Sequence, residues 1–346
     1  MSRLGREWPI GLALLLLFAL FLADLCFGDA SLSLSQVVGG LSGSARVSHV
    51  VSLIVRDYRL PKALCAVLVG ASLSAAGLQM QTLFRNPLAG PYELGMSSGA
   101  SLGVAFLVLG GFGSAAWSSS FSGLGYWGVV LAAVAGAAAV MAIVTLVALR
   151  VSAGVNLLII GLMIGSMTGA VVAVLQFFTE PELLQSFLLW SFGSVAGIGW
   201  AKLAVLAPLV ILGLLLSCTW TKSLDALLVG ETHARSLGVS ASGARLRILI
   251  STSILSGAVT AFCGPIAFVG MAVPHLARPL AGGARHGRLL PCSMLCGAIL
   301  MLACDMACQW PGKAMSLPLN AVTALFGAPV VIWVVLRGRN LQEAFG

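Results

Sequence analysis

A chain of 346 residues with 59% hydrophobic and only 9% charged positions cannot cover a water-facing surface, since soluble domains carry about 25% charged residues. Its formal net charge of +8 is spread along the chain with no cluster of basic and aromatic residues, which argues against a nucleic-acid-binding surface. Hydrocarbon is left as the solvent for most of the molecule.

An apolar helix needs about 20 residues to cross a bilayer. Runs of that kind lie near 8–28, 63–84, 94–112, 126–149, 155–178, 201–219, 246–263, 289–308 and 319–336. A tenth, 268–280, is short, carries Pro274 and His275, and reads as a broken or partial span. Residues 1–346 are therefore expected to form one all-α polytopic membrane domain of about ten transmembrane helices. Arg3 and Arg6 precede the first run as they would in a signal peptide, but no clean small-x-small cleavage site follows, so the run reads as a retained span. With the N-terminus inside, six of the 19 Lys and Arg fall outside: Arg46, Arg56, Arg59, Lys62, Lys202 and Lys313. The other Lys and Arg face the cytoplasm, and the positive-inside bias places both termini there.

Taken in chain order, Arg56, Arg59 and Lys62 stand just before the second span. They read as a solvated positive rim or as a docking patch for an acidic partner, where opposite charge steers encounter. In "RNPLAGP", Pro87 and Pro91 end the helices on either side of a tight turn. In the fifth run, "GLMIGSMTG" puts Gly161, Gly165 and Gly169 at i, i+4 and i+8, a small-residue stripe that lets helix backbones approach. Residues 179–200 read as an amphipathic surface segment with a helix starting at Pro181.

The polar stretch 223–238 is the unusual one. "SLDALLV" ends at Gly230 and "ETHARSL" ends at Gly238; glycine just past a helix end takes positive φ cheaply, so two short helices are expected. Leu224, Leu227 and Leu228 give the first an apolar side, and Ala234 and Leu237 give the second a smaller one. Glu231 complements the second helix dipole and pairs with Arg235 at i+4. The plainer alternative is an interfacial hairpin on the headgroups. Small residues and few bulky anchors favour instead a groove on a cytoplasmic protein.

Some chemistry is missing. No GxxxxGK[ST] loop, HExxH, paired CxxC or GxSxG occurs, so the chain is not expected to be an enzyme or to bind ATP. Cys292, Cys296, Cys304 and Cys308 span roughly 24 Å of helix, too far to converge on one metal, and read as packing residues. The histidines converge on nothing, and no metal site is expected. All eleven acidic residues lie in loops or near span ends. Ion-coupled carriers usually keep an ionisable group deep in the membrane, so an ion-coupled secondary transporter is the alternative reading.

"GETHARSLGV" resembles the cytoplasmic coupling motif of the FecCD-type permeases. Residues 59–103 resemble the long N-terminal signature of that family. "GPIAFVGMAVPHLAR" (264–278) resembles its second signature and "LPLNAVTALFGAPVVIWVVLR" (317–337) its C-terminal one. These families are membrane subunits of ATP-binding-cassette importers for ferric siderophores, haem and cobalamin. The resemblance implies the type II importer fold and an inner-membrane homodimer. It implies two cytoplasmic ATPases that use ATP and Mg, and a periplasmic or lipoprotein substrate-binding protein; this chain itself binds no cofactor. It implies that Leu224, Leu227, Gly230, Glu231, Ala234, Arg235, Leu237 and Gly238 form the ATPase-coupling handle. It also implies that Gly161, Gly165, Ser166 and Gly169 face the pathway or dimer axis, that residues near 179–200 help close a gate, and that Arg59 and Lys62 sit at binding-protein contacts. Lysine at the last of these loses bidentate geometry. Many relatives carry arginine where Gln309 stands. Among possible cargoes, a ferric siderophore ranks first.

Overall fold

Backbone polar groups in hydrocarbon must be satisfied within the segment that carries them, and helices do this alone. The computed structural model describes residues 8–28, 31–44, 47–92, 95–110, 126–150, 154–236, 238, 240–309 and 317–336, and among them no strand occurs. In chain order the helices are α1 (Trp8–Cys26), α2 (Leu34–Ser42) and α3 (His49–Leu53). A π-helical turn, Ile54–Arg59, carries α3 without a break into α4 (Leu60–Phe84). Then come α5 (Met96–Leu109), α6 (Tyr126–Arg150), α7 (Gly154–Phe177), α8 (Pro181–Ser191) and α9 (Trp200–Thr219). The short pair is α10 (Thr221–Val229) and α11 (Glu231–Ser236), followed by α12 (Ala241–Cys263), α13 (Val269–Ala281), α14 (His286–Cys308) and α15 (Leu319–Leu336).

Seven helical stretches among the described residues are long and apolar enough to cross a membrane. They are α1, the continuous His49–Phe84 helix, most of α6 and α7, and α9, α12 and α14. One of the expected full spans is shorter: α5 has 14 residues where 94–112 was expected; α15 has the expected bounds, with Leu319–Val334 as its apolar stretch. The partial span expected at 268–280 is α13, 13 residues long.

The core is organised on α4. Its apolar stretch is 83% buried, against 11% for α1. Small residues make this possible. A Cβ added at Gly70 would stand 2.1 Å from the carbonyl oxygen of Gly297 on α14, and one at Gly77 would stand 1.8 Å from that of Gly270 on α13. At Gly297 the reverse holds, with Gly70 O at 2.2 Å. The backbones of α4, α13 and α14 therefore touch, and dispersion summed along such a seam replaces the hydrophobic drive that lipid removes. The α5–α6 pair repeats the device: Cβ atoms at Gly103 and Gly136 would meet Ala132 O at 2.0 Å and Gly99 O at 2.1 Å.

Two helices begin inside the bundle. Gly95, at φ +78, opens α5 halfway along α7, where a Cβ added to it would lie 3.2 Å from both Gly161 O and Gly165 N. Phe268, at φ +66, opens α13 against Gly327, halfway along α15. Irregular backbone at such depth persists only where protein satisfies it. Here His275 Nε2 donates to Pro87 O at 2.8 Å, Gln81 Nε2 donates to Met271 O at 2.9 Å, and Asn320 Oδ1 accepts from Ala267 N at 3.0 Å.

Replacing Gly77 with alanine forces a methyl into a backbone carbonyl, and overpacking of this kind costs about 1–3 kcal/mol or more. Gly77→Ala is expected to lower the thermal unfolding midpoint of the detergent-solubilised chain. Gly169→Ala, with no atom within 4 Å of the added carbon, is expected to leave it unchanged.

Candidate functional site

The two short helices α10 and α11 leave the end of α9 and return at the start of α12. Gly230 joins them at φ 132 and ψ 154, a conformation that side chains resist. Arg85, in the left-handed region at the end of α4, brings its guanidinium to 3.7 Å from where a Gly230 Cβ would lie. Leu224 and Ala234 are fully buried, and Leu227 is 5% exposed. All three join a cluster with Met80 and Phe84 of α4, Val144 of α6, and Ile248 and Leu249 of α12. This corrects the expectation that the apolar sides of the two helices wait for a partner. A buried leucine contributes about 1.5–3 kcal/mol relative to its exposed state, and the chain's own core is the nearer apolar surface. What faces outward is Lys222, Val229, Arg235, Ser236 and Gly238. Leu237 and the side chain of Glu231 lie outside the described residues.

A polar link ties the handle to the bundle. Asp225 Oδ1 accepts from the His286 backbone N at 2.8 Å and from His286 Nδ1 at 2.7 Å. His286 Nε2 lies 2.8 Å from Thr82 Oγ1. Asp225 thus caps the start of α14, and His286, 1% exposed, bridges α10 to α4. Partial burial alone would raise the Asp225 carboxyl. The His286 side-chain and backbone hydrogen bonds, with the charges of His286 and Arg285, outweigh it and hold the group below its ordinary value of 3.8. Sequence reasoning passed over both residues, because 61 positions separate them and neither sits in a motif of its own.

At the opposite end of the bundle the docking candidates separate. Arg56 is exposed, and its Nη2 donates to Leu41 O at 2.7 Å. Arg59 and Lys62 are each only 7% exposed, which corrects the expected solvated rim. Arg59 Nη1 donates to Leu25 O at 2.8 Å and Cys26 O at 2.9 Å, closing the C-terminus of α1. Lys62 Nζ reaches Asp305 Oδ2 at 2.7 Å and Asp24 Oδ1 at 3.5 Å. Gln309 Nε2 donates to Asp305 Oδ2 at 3.0 Å. Buried charges require such partners, and α1, α4 and α14 supply one member or more each. Asp24 and Asp305 do lie near the ends of α1 and α14 as read. Their burial was not legible, since Asp24 and Asp305 are 281 positions apart.

The glycine stripe of α7 also divides. Gly161 is buried and Gly165 half-buried, both turned toward Gly95. Ser166 is exposed, donating to Leu162 O at 3.0 Å, and Gly169 meets nothing. Around them Met163 and Met167 are 60% and 63% exposed. This face is wide, apolar and free of charge. Beside it, α8 opens with Pro181 in its first turn and buries Phe187. The loop after α8 is bound to the end of α12, where Ser194 N donates to Cys263 O at 2.8 Å, and to α15, where Asn320 N donates to Phe192 O at 3.0 Å.

The family model described as the FecCD transport family matches residues 15–337. The chain belongs to that family. It is similar to the hemin transport system permease protein HmuU of Yersinia pestis, at 35% identity over 344 residues covering 98% of this chain and 99% of the relative. It is also similar to the vitamin B12 import system permease protein BtuC of Klebsiella pneumoniae, at 34% identity over 339 residues covering 98% and 96%. A solved structure described as a metal-chelate type ABC transporter in an inward-facing conformation superposes with a TM-score of 0.81 at 29% identity, covering 96% of this chain and 99% of that one. Among the described residues, the all-helical FecCD architecture of a multi-pass membrane protein is the one expected from the sequence; seven helical stretches, not ten, are long and apolar enough to cross.

Lys62→Met leaves two buried carboxylates without their cation. Breaking a buried pair costs about 3–5 kcal/mol, so a marked drop in the thermal midpoint in detergent is expected, partly restored by Asp305→Asn in the same chain. For Asp225 the sign is that of a depressed acid: its contribution is present above 3.8 and is lost as pH falls through its lower folded value. Below about pH 4, wild-type stability should therefore fall more steeply with pH than that of Asp225→Asn, measured by thermal unfolding across an acid series.

Proposed function

We propose that this chain is the membrane-spanning permease subunit of an ATP-binding-cassette importer that carries a bulky metal chelate across a bacterial inner membrane. Membership of the FecCD transport family and similarity along the whole chain to haemin and vitamin B12 permeases support the reading. Haem, a corrinoid or a ferric siderophore is the cargo class. The two named cargoes of relatives displace the siderophore from first place.

The observation that carries the mechanism is the burial of Leu224, Leu227 and Ala234 in the core shared by α4, α6 and α12. A handle pressed by a partner transmits force only if it is stiff at its root. Its apolar face is anchored in its own bundle, and Asp225 ties it to the first turn of α14. The outward face, with Val229, Arg235, Ser236 and Gly238, is the surface offered to a separate cytoplasmic ATPase, and ATP and Mg are used there. The N- and C-termini lie on that same cytoplasmic side.

Motion at α10 and α11 then passes along α4, α12 and α14 to the opposite end, where α8 closes the pathway in one state and opens it in another. Ser166 and Gly169, with the exposed methionines, form the wall shared with a second copy of the chain. That wall is apolar, so a large cargo slides without being held. Arg56 is the docking cation left exposed for an external binding protein, while Arg59 and Lys62 hold up the surface beneath it. Lipid surrounds the rest.

An ion-coupled carrier is the other class. The ionisable residues buried together in α1, α4 and α14 lie at one end of the bundle, where Lys62 holds Asp305 and Asp24, and a cluster confined to one end does not make a proton path across the bundle.

The test is uptake into proteoliposomes that hold this chain with its ATPase, with binding protein outside. Haemin, cobalamin and a ferric siderophore are offered in turn. ATP-dependent uptake of one of them that survives an uncoupler is expected. Uptake by the chain alone on a proton gradient would reject the proposal. Glu231→Arg, which reverses the charge at the first residue of α11, is expected to abolish most ATP-driven uptake without shifting the thermal midpoint. Full uptake by that variant would remove Glu231 from the handle.

A further inference from the structure

Two thiols from distant parts of the sequence meet in the core. Cys65 Sγ of α4 and Cys263 Sγ of α12 lie 3.6 Å apart, and the residues are 0% and 3% exposed. Both are free cysteines. A disulfide needs its sulfurs about 2.05 Å apart, so the gap to be closed is of the size that a small side-chain rotation covers. Neither residue belongs to the handle, the pathway wall or the carboxylate cluster.

The position of Cys263 matters. It is the last residue of α12, and its carbonyl accepts the Ser194 N–H at 2.8 Å. The next residue, Gly264, passes so close to α8 that a Cβ there would lie 2.4 Å from Trp190 O; one at Gly193 would lie 2.9 Å from Pro265 O. The end of α12 and the loop after α8 are therefore in backbone contact. Cys65 stands on α4, the most buried long helix of the bundle.

We propose that Cys65 and Cys263 are an oxidisable dithiol pair whose disulfide pins the end of α12, and with it the loop after α8, to α4. Two S–H bonds break and one S–S bond forms. Two protons leave, and two electrons pass to an oxidant of the small disulfide or halogen class. With a disulfide oxidant the electrons end on two new thiols; with molecular iodine they end on two iodide ions. Both sulfurs are screened from water, so a small lipid-soluble oxidant reaches them where a large polar alkylating reagent does not. Contact between the two thiols makes the closing step intramolecular, and it outcompetes reaction with a second molecule. In the orientation proposed above, this end of the bundle faces the compartment where disulfides persist.

The pinning consequence rests on the permease reading; formation of the bond does not. The full-length chain in liposomes is treated with iodine, quenched, and digested without reduction. Mass spectrometry is expected to find a peptide joining Cys65 to Cys263 that separates on reduction with dithiothreitol. The same treatment of the reconstituted importer is expected to cause loss of ATP-driven uptake, with recovery on reduction. Cys65→Ser and Cys263→Ser are each expected to resist that loss. Absence of the linked peptide in the wild-type chain overturns the pair. Complete linkage with unchanged uptake overturns the pinning. An importer without uptake before oxidation points to the permease reading instead, and the linked peptide still decides the pair.

Discussion

Backbone-to-backbone contact along α4 is the constraint on which the rest of the molecule depends. In water, helices associate because their apolar sides leave the solvent. In lipid that drive is absent, and what remains is close packing and hydrogen bonds across the seam. Glycines at 70 and 77 allow α14 and α13 to approach α4 until carbonyl oxygens would touch an added methyl. That proximity brings Gln81 within reach of Met271 O and Thr82 within reach of His286. It also lets α5 and α13 start partway through the bundle, because a chain reversal at that depth needs protein on all sides.

The same helix connects the two ends of the bundle. At one end, Met80 and Phe84 of α4 receive the leucines of α10. At the other, Lys62 gathers Asp24 and Asp305, and Arg59 closes α1. The buried charges at that end hold three helices in register, and the short helices at the other end are seated rather than merely tethered. Beyond α7, the loop after α8 is bonded to the frame at Cys263 O and Asn320 N.

Patterns local in sequence were legible at once. Apolar run length located the spans, Pro274 marked the short one, and the glycines at 230 and 238 marked the ends of the handle helices. Side-chain partners were not legible. Leu224 and Leu227 were read as facing a partner because an amphipathic helix announces an apolar side without saying what covers it. Arg59 and Lys62 were read as a solvated rim or a docking patch, both accessible, and only the arrival of α1 and α14 buries them. Gly161 and Gly169 share one stripe in sequence, yet one lies against Gly95 at the start of α5 and a Cβ at the other would meet no atom within 4 Å.

By itself, the sequence determined the class of solvent, the all-helical character, the approximate place of most long helices, and the family. Each of these follows from residue type and spacing within a few turns. Tertiary structure alone decided which polar groups are paired, which faces are free and which thiols meet. Those outcomes depend on contacts between segments hundreds of residues apart, such as Asp24 with Gln309 and Cys65 with Cys263. Short-range periodicity sets the shape of each helix, but it carries no information on which helix will stand beside it.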